Sequence, residues 1–480
     1  MEPLNIMDTQ NTKIIATVGP ASSSYEKLLA LIKAGVDVFR LNFSHGTHAA
    51  HQQVINHIRY INENYNLHIG ILADLQGPKI RIGKVQKDHI SIKPGDILTF
   101  VNEKCIGTKE KIYLSYPSFA KDVTIGEKIL VDDGKIVLEV IETDKKSTVK
   151  LKVIFGNKLS SNKGVNLPHT KVSLPSLTEK DLADLQFILT QPINWIALSF
   201  VRAANDIVEL KKIIQAANHT AKVIAKIEKP EAVEHIDAII KVTDGLMIAR
   251  GDLGIEVPME KLPAIQKMII RKSIQSSRTV IVATQMMDSM IENPSPTRAE
   301  VTDVANAVCD GTDAVMLSGE TSIGKYPILV VEAMNKILEE AEKNYNISGN
   351  RPVPNPDSET FLSDIICFNA AKTAADVNAK AIIGVTTSGY TAFKVSSYRP
   401  MKKIYIFSDQ PHILCTLNLV WGVRCHYYDK FVSTDETISD VVAILKKRGN
   451  LKKGDVVVNT GSMPMEKRYR TNMLKVTVVK

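Results

Sequence analysis

The chain has 480 residues, 44% of them apolar, a length and composition that suit two to four globular domains. Its 60 basic and 52 acidic residues leave a formal net charge of +8, which fits small anionic substrates or a plain solvated surface and argues against nucleic acid. Five cysteines without a CxxC pair argue for a reduced, cytoplasmic protein without structural zinc, and no long apolar run or basic-then-apolar N-terminus predicts a membrane span or secretory signal.

From Lys13 onward, eight short apolar runs alternate with helical stretches. The runs are Lys13–Val18, Val36–Leu41, Ile69–Asp74, Trp195–Phe200, Lys222–Ile227, Gly245–Ala249, Thr279–Thr284 and Ala314–Ser318. This pattern predicts an α/β protein built on a (β/α)8 TIM barrel, whose chemistry collects at the C-terminal strand ends. At or just beyond those ends stand Gly19-Pro20, Asn42-Phe43-Ser44, Asp74, Ser199, Lys226 with Glu228, Arg250 with Asp252, Thr284, and Ser318 with Glu320. A single polar end is open to a bland reading as a buried hydroxyl or structural ion pair. All eight being polar together marks an active site.

After the third run the sequence changes character. From Gly77 to about Val172 it carries short alternating runs (Ile90–Ile92, Ile97–Phe100, Lys128–Val131, Ile136–Ile141, Thr148–Val153) separated by Pro-Gly-Asp, Asp-Asp-Gly and Asp-Lys-Lys turns. This predicts a small β-barrel domain, residues 77–172, inserted over the mouth as a lid. Helices are expected at Thr178–Leu189, Asn205–Asn218, Pro230–Val242, Met259–Ser277, Ser295–Cys309 and Pro327–Tyr345. Residues 1–76 and 173–346 then form the barrel. A proline-rich linker at 351–356 leads to an open α/β domain, residues 347–480, with a helix at Phe361–Val377, strands at Ala381–Thr386, Lys403–Phe407 and Val456–Thr460, and a helix at Glu436–Arg448.

Residues two apart on a strand share a face, so Lys226 and Glu228 both point to the mouth, suited to holding a phosphoryl group beside a metal. Arg250 and Asp252 read as a second such pair, and Asp252 with Glu228 offers two carboxylates for a Mg²⁺ that keeps its other positions for water and substrate. Gly251 and Gly254 let backbone amides approach an anion. Arg40 suits bidentate phosphate binding, and Asn42 and Ser44 supply neutral oxygens for a cation or ligand. His45 is open to two readings, a nucleotide contact or a capping histidine. Asp74 and Arg81 flank the entry to the insert. Neither a P-loop nor a strand-linked GxGxxG occurs.

Eight segments resemble the pyruvate kinase family: 14–22 (IIATVGPAS), 40–46 (RLNFSHG), 164–168 (GVNLP), 225–228 (AKIE), 249–254 (ARGDLG), 283–286 (ATQM), 296–300 (PTRAE) and 317–321 (LSGET). The resemblance spans essentially the whole chain. It implies phosphoryl transfer from phosphoenolpyruvate to ADP, giving pyruvate and ATP in glycolysis. By the same resemblance Lys226 stabilises the phosphoryl group and the developing enolate, and Glu228 and Asp252 bind Mg²⁺ or Mn²⁺. Gly251, Asp252 and Thr284 take the substrate carboxylate. Arg40 and Arg81 contact phosphate, with Asn42, His45 and Lys163 near the nucleotide. Thr284, Ser318 and Glu320 are implied in enolpyruvate protonation, and a homotetramer is the expected assembly.

Two departures from the family pattern stand out. Many members read Asp-Thr-Lys-Gly-Pro-Glu after the third strand and need potassium; here the segment is Asp74-Leu75-Gln76-Gly77-Pro78-Lys79. The ammonium of Lys79 is expected to replace the monovalent cation otherwise held near Asn42, Ser44, Asp74 and Leu75, making potassium dispensable. His169 stands where the family often has glycine, at the return of the insert. In the last domain Thr386-Thr387-Ser388-Gly389-Tyr390-Thr391 sits between a strand and a helix; the resemblance implies an allosteric loop for a phosphorylated effector, and a plain glycine turn is the competing reading. Two other functions remain in competition: a Schiff-base lyase or aldolase acting through Lys226, and a non-catalytic metabolite sensor.

Overall fold

The computed structural model describes residues 10–344, 352–430, 432–463 and 470–480. The expected boundary at 346/347, the end of the helix expected to reach Tyr345 and the first residue of the linker, Arg351, lie outside the described residues.

Eight parallel strands close into the expected barrel: Lys13–Thr17, Val38–Asn42, Gly70–Asp74, Trp195–Leu198, Lys222–Ile227, Gly245–Ala249, Thr279–Ala283 and Ala314–Leu317. The first strand pairs with both the second and the eighth. Ile15, Val38, Leu72, Trp195, Ile224, Met247, Ile281 and Met316 fill the interior, while the residues between them pack outward against the helices. Burial on both faces is why each strand reads as an unbroken apolar run rather than an alternation. Two residues on along the same inward face come Thr17, Arg40, Asp74 and Lys226, the polar continuation of the core at its C-terminal end.

Helix termini follow local chemistry. Thr178 caps Glu179–Ile188 and Asp181 bonds back, a capping box; Thr297 and Glu300 make the same box at Arg298–Asp310. That cap moves the start of the helix expected from Ser295 three residues on. The helix expected over Pro230–Val242 is two, Pro230–Glu234 and Ile236–Val242, broken at His235, where ψ swings to 16°. The one expected from Met259 begins as a 3₁₀ turn, Met259–Lys261, before the helix Leu262–Gln275.

Between the third and fourth barrel strands lies a six-stranded sheet ordered Val165–Asn166, Lys128–Val131, Ile136–Thr143, Thr148–Phe155, Ile97–Val101, Ile112–Tyr113. A separate pair joins His89–Ser91 to Lys158–Ser160. Single bridges, Arg81 to Gly164 and Ile82 to Leu114, tie the two edges of the larger sheet together around a core that includes Leu98, Phe100, Leu138 and Leu151. The last domain is a five-stranded sheet in the order Val423–Tyr427, Lys403–Ser408, Ala381–Val385, Val456–Gly461, Met473–Val478, parallel except for the final strand.

The two added units take opposite ends of the barrel. The last domain docks on the N-terminal end: Leu419 joins the interior cluster, Trp195 Nε1 donates to the Thr416 carbonyl at 3.1 Å, and buried Arg399 pairs with Asp313 at 3.1 Å. The insert meets the C-terminal end. There buried Glu256 accepts from Lys229 Nζ at 2.7 Å and from Asn166 Nδ2 of the insert at 2.9 Å. Glu256→Ala strands a buried ammonium, so a loss of about 3 kcal/mol is expected from thermal or urea unfolding, with Glu256→Gln costing less; equal stability of Glu256→Ala and wild type would refute this.

Candidate active site

The fifth strand carries Lys226 on its inward face, and Glu228 follows just past its end. Lys226 Nζ lies 2.7 Å from Ser199 Oγ, 3.0 Å from Glu228 Oε1 and 3.2 Å from Asp74 Oδ1. Asp74 Oδ2 accepts from Arg40 Nε at 2.7 Å, and Arg40 in turn donates to Thr17 Oγ1 at 3.0 Å. One network therefore links the ends of the first five barrel strands in space. Thr17 was not singled out from sequence. Its signal was available, because it continues the inward face of the first strand as Arg40 continues that of the second.

Burial dominates the electrostatics, and charge then sets its outcome. Burial favours neutral Asp74, but the cations Lys226 and Arg40 outweigh it and hold the carboxyl below its ordinary range. Burial likewise works against the Lys226 ammonium, and Asp74 and Glu228 overcome it, raising its pKa. Glu228 moves the other way. Its burial, with help from the charge of Asp252, raises its pKa despite Lys226. Glu228 Oε2 is also held by the Phe200 amide at 2.7 Å, from a residue at φ +54°.

The sixth strand end departs from the expected pairing of Arg250 with Asp252. A helix, Arg250–Glu256, begins at Arg250 itself, so the two-residue alternation of a strand does not apply. Arg250 turns away to Asp303 at 2.7 Å and to the Thr284 carbonyl at 2.8 Å, a brace for the seventh strand end rather than an open anion site. Asp303, on the helix capped by Thr297, is a partner that local sequence does not reveal. Asp252 instead meets Lys79 Nζ at 3.4 Å. Thr284 sits at φ +70°, strained for a β-branched residue, and its Oγ1 accepts from the Gly251 amide at 2.7 Å.

Among the described residues Thr284 makes no hydrogen bond to Ser318 or Glu320, whereas Ser318 and Glu320 are joined to each other. Buried Glu320 accepts from the amides of Ser318 at 2.6 Å and Met287 at 3.2 Å, and burial raises its pKa. Asn42 lies beside Asp74 in register, and its Oδ1 accepts from the Ser44 amide at 3.1 Å. The His45 amide donates to the Asn42 carbonyl at 3.1 Å. Arg81 and Lys163 belong to the base of the insert, bonded to the Asn162 carbonyl at 3.3 Å and to Asp132 at 2.8 Å. Leu75 is buried, and its carbonyl accepts from Ser199 Oγ at 2.7 Å.

Lys79 does not reach the group around Asn42, Ser44 and Asp74; its ion pair is with Asp252. Gly77, at φ +67°, makes the turn into the insert, where a Cβ would stand 2.9 Å from Ser199 Cβ. At the other end of the molecule, Gly389 donates to Thr386 Oγ1 at 3.0 Å and opens the helix Tyr390–Ser397. Thr391 in the same loop is buried against Thr471, with 2.6 Å between hydroxyls. Among the described residues no three His, Cys, Asp or Glu side chains gather as a metal site, and no helix is long and apolar enough to cross a membrane.

A closed parallel barrel whose mouth gathers two cations against buried carboxylates, under an inserted strand-rich domain, is the scaffold of a barrel enzyme for anionic substrates. The model of the pyruvate kinase barrel domain matches residues 9–331, and that of the pyruvate kinase alpha/beta domain matches residues 364–477. A pyruvate kinase of Geobacillus stearothermophilus is 43% identical, over 98% of this chain and 80% of that protein. One of Clostridium acetobutylicum is 42% identical, over 98% of this chain and all of its own. A crystal structure of a pyruvate kinase from Cryptosporidium parvum superposes with a TM-score of 0.92 at 35% identity, covering 98% and 97% of the two chains. The chain belongs to the pyruvate kinase family and is a phosphotransferase.

Proposed function

We propose that this enzyme moves the phosphoryl group of phosphoenolpyruvate to the β-phosphate of ADP, releasing ATP and an enolate that takes up one proton to become pyruvate. The observation that carries the reading is the fixed ammonium of Lys226, clamped between Asp74 and Glu228. A loose phosphoryl-transfer transition state needs positioned positive charge more than a covalent catalyst. Arg40 shares in binding the phosphate. The Gly251 and Asp252 amides with Thr284 take the substrate carboxylate, and Thr284, Ser318 and Glu320 lie on the proton path to the enolate. Asn42, His45, Arg81 and Lys163 serve the nucleotide, the last two brought over the mouth by lid movement of residues 77–172 against the barrel segments 1–76 and 173–346.

Glu228 and Asp252 fit a divalent ion, Mg²⁺ or Mn²⁺. Burial raises the pKa of Glu228 and the charge of Asp252 adds to it, so a cation held by the two carboxylates would relieve both. When bound, the ion supplies charge neutralisation at the phosphoryl oxygens. We further assign Lys79 the work of potassium, the 386–391 loop an activating phosphorylated effector, residues 347–480 the regulatory unit, and the protein a homotetramer acting in cytoplasmic glycolysis. A Schiff-base enzyme is disfavoured by the same Lys226: a nucleophilic amine needs a lowered pKa, and this one is raised. A sensor is disfavoured because Lys226, Glu228, Asp252 and Thr284 are all present.

Direct assay of ATP from phosphoenolpyruvate and ADP tests the reading. Activity is expected with Mg²⁺ or Mn²⁺, lost on chelation with EDTA and restored by either ion. No ATP under these conditions, with borohydride trapping a keto acid on Lys226, would favour the lyase instead.

A further inference from the structure

The insert returns to the barrel through residues 167–178, which form neither helix nor strand. Val172 and Leu174 still pack against the core of the insert, and within it the Ser173 amide donates to Tyr116 Oη at 2.9 Å. Leu177 packs on the barrel core instead, and Thr178 caps the barrel helix Glu179–Ile188. The chain therefore passes from one body to the other at Pro175-Ser176. Proline fixes its own φ and disfavours helical torsions at Leu174, so few rotations are free at this joint. The outgoing chain crosses at Gly77-Pro78, where the Gly77 amide donates to Asp181 Oδ1 of that same helix at 3.1 Å. Two crossing points beside one helix end define an axis.

One barrel side chain reaches across the returning joint. The backbone of Arg202 is fixed to the barrel, since its amide and that of Ala203 donate to Asp206 Oδ2 at 2.8 and 3.0 Å at the start of the helix Ala204–Ala216. Its guanidinium donates through Nη1 to the Val172 carbonyl and through Nη2 to the Leu174 carbonyl at 2.5 Å. Two carbonyls two residues apart suit the two prongs of a planar fork. No carboxylate pairs with this guanidinium among the described residues, so its grip is on the insert and not on an ion-pair network. Rotation about a joint displaces atoms in proportion to their distance from it. Val172 and Leu174 lie so close to Pro175 that both bonds survive a swing carrying the body of the insert much further. A cavity of about 30 Å³, room for one water, borders Arg202 beside Phe200, Asp252 and Glu256 and gives the guanidinium space to shift.

We propose that Arg202 is a positioning residue for the reaction: a clasp across the joint at Pro175 that fixes the axis on which the insert swings, and so where Arg81 and Lys163 arrive at the nucleotide. The inference rests on the reading of residues 77–172 as a lid and names the residue that guides it.

A split between the two Michaelis constants reads the clasp, because phosphoenolpyruvate is held by barrel residues and ADP also by Arg81 and Lys163 of the insert. Arg202→Met should raise the KM for ADP about tenfold, the scale of a lost charge-assisted contact, while the KM for phosphoenolpyruvate changes less than about threefold. Arg202→Lys keeps the charge but not the fork, so it should fall between wild type and Arg202→Met. Pro175→Gly frees the joint without touching Arg202 and should give the same split. Hydrogen exchange of the unliganded full chain, followed by mass spectrometry, should quicken about tenfold over residues 165–174 in Arg202→Met and stay unchanged in the barrel strands. Exchange needs no turnover, so it judges the clasp even where the ATP assay overturns the functional reading. Wild-type exchange over residues 165–174 in Arg202→Met overturns the proposal. So does a wild-type KM for ADP in both Arg202→Met and Pro175→Gly, or a fall in kcat with both KM values unmoved and faster exchange throughout the barrel, the mark of a merely structural side chain.

Discussion

Lys226→Met is expected to lower kcat for ATP formation about a thousandfold or more, with a much smaller change in the KM for phosphoenolpyruvate. A thousandfold corresponds to about 4 kcal/mol of transition-state stabilisation, the scale of a positioned cation in phosphoryl transfer. The substitution also leaves Glu228 buried beside Asp252 without its ammonium, and Asp74 with Arg40 alone. Both carboxyls should then titrate higher, because the charge that favoured their ionised forms is gone, and the acid limb of any residual rate should move up in pH. Lys226→Arg keeps the charge but offers a planar fork where three partners converge within 3.2 Å, so it should not restore the rate. A kcat within tenfold of wild type for Lys226→Met would remove Lys226 from the chemistry.

What the sequence displayed about this site follows from where its partners lie along the chain. Lys226 and Glu228 are two apart at a strand end, and strand periodicity put them on one side correctly. The same rule failed for Arg250 and Asp252, because the helix begins at Arg250 with no preceding spacer. Local pattern cannot see that boundary. The contacts of Lys226 with Ser199 and Asp74, of Arg40 with Thr17, and of Lys79 with Asp252 all depend on barrel closure, which sets neighbours across long sequence separations. Fold elements divide in the same way. Barrel strands stood out because burial on two faces demands continuous apolar residues. The strand Met473–Val478 was missed: it is an edge strand with no buried residue, so burial imposes little pattern on it. Ile112–Tyr113 and Val165–Asn166 are too short to show any periodicity.

The position of Lys79 changes the physical argument for potassium without removing its expected result. The acidic residue of the anticipated cation pocket, Asp74, is already neutralised by Arg40 and Lys226, and Asn42 Oδ1 is engaged by the Ser44 amide. Lys79 adds its charge from the other side of the mouth, at Asp252. Both partners are partly exposed, at 31% and 25%, so solvent screening limits the pair to about 1–2 kcal/mol, roughly five- to thirtyfold in rate if expressed in the transition state. Wild-type activity should therefore be nearly equal in potassium and in tetramethylammonium at matched ionic strength. Lys79→Glu removes a cation and adds an anion beside a carboxylate. Its rate in tetramethylammonium should fall about tenfold or more and recover in potassium, which can resupply the lost charge. Lys79→Met should show a weaker form of the same dependence. A tenfold rise in wild-type rate on adding potassium would sink the idea. So would a Lys79→Glu enzyme indifferent to potassium, since the ammonium at Asp252 would then be replaceable by nothing at no cost.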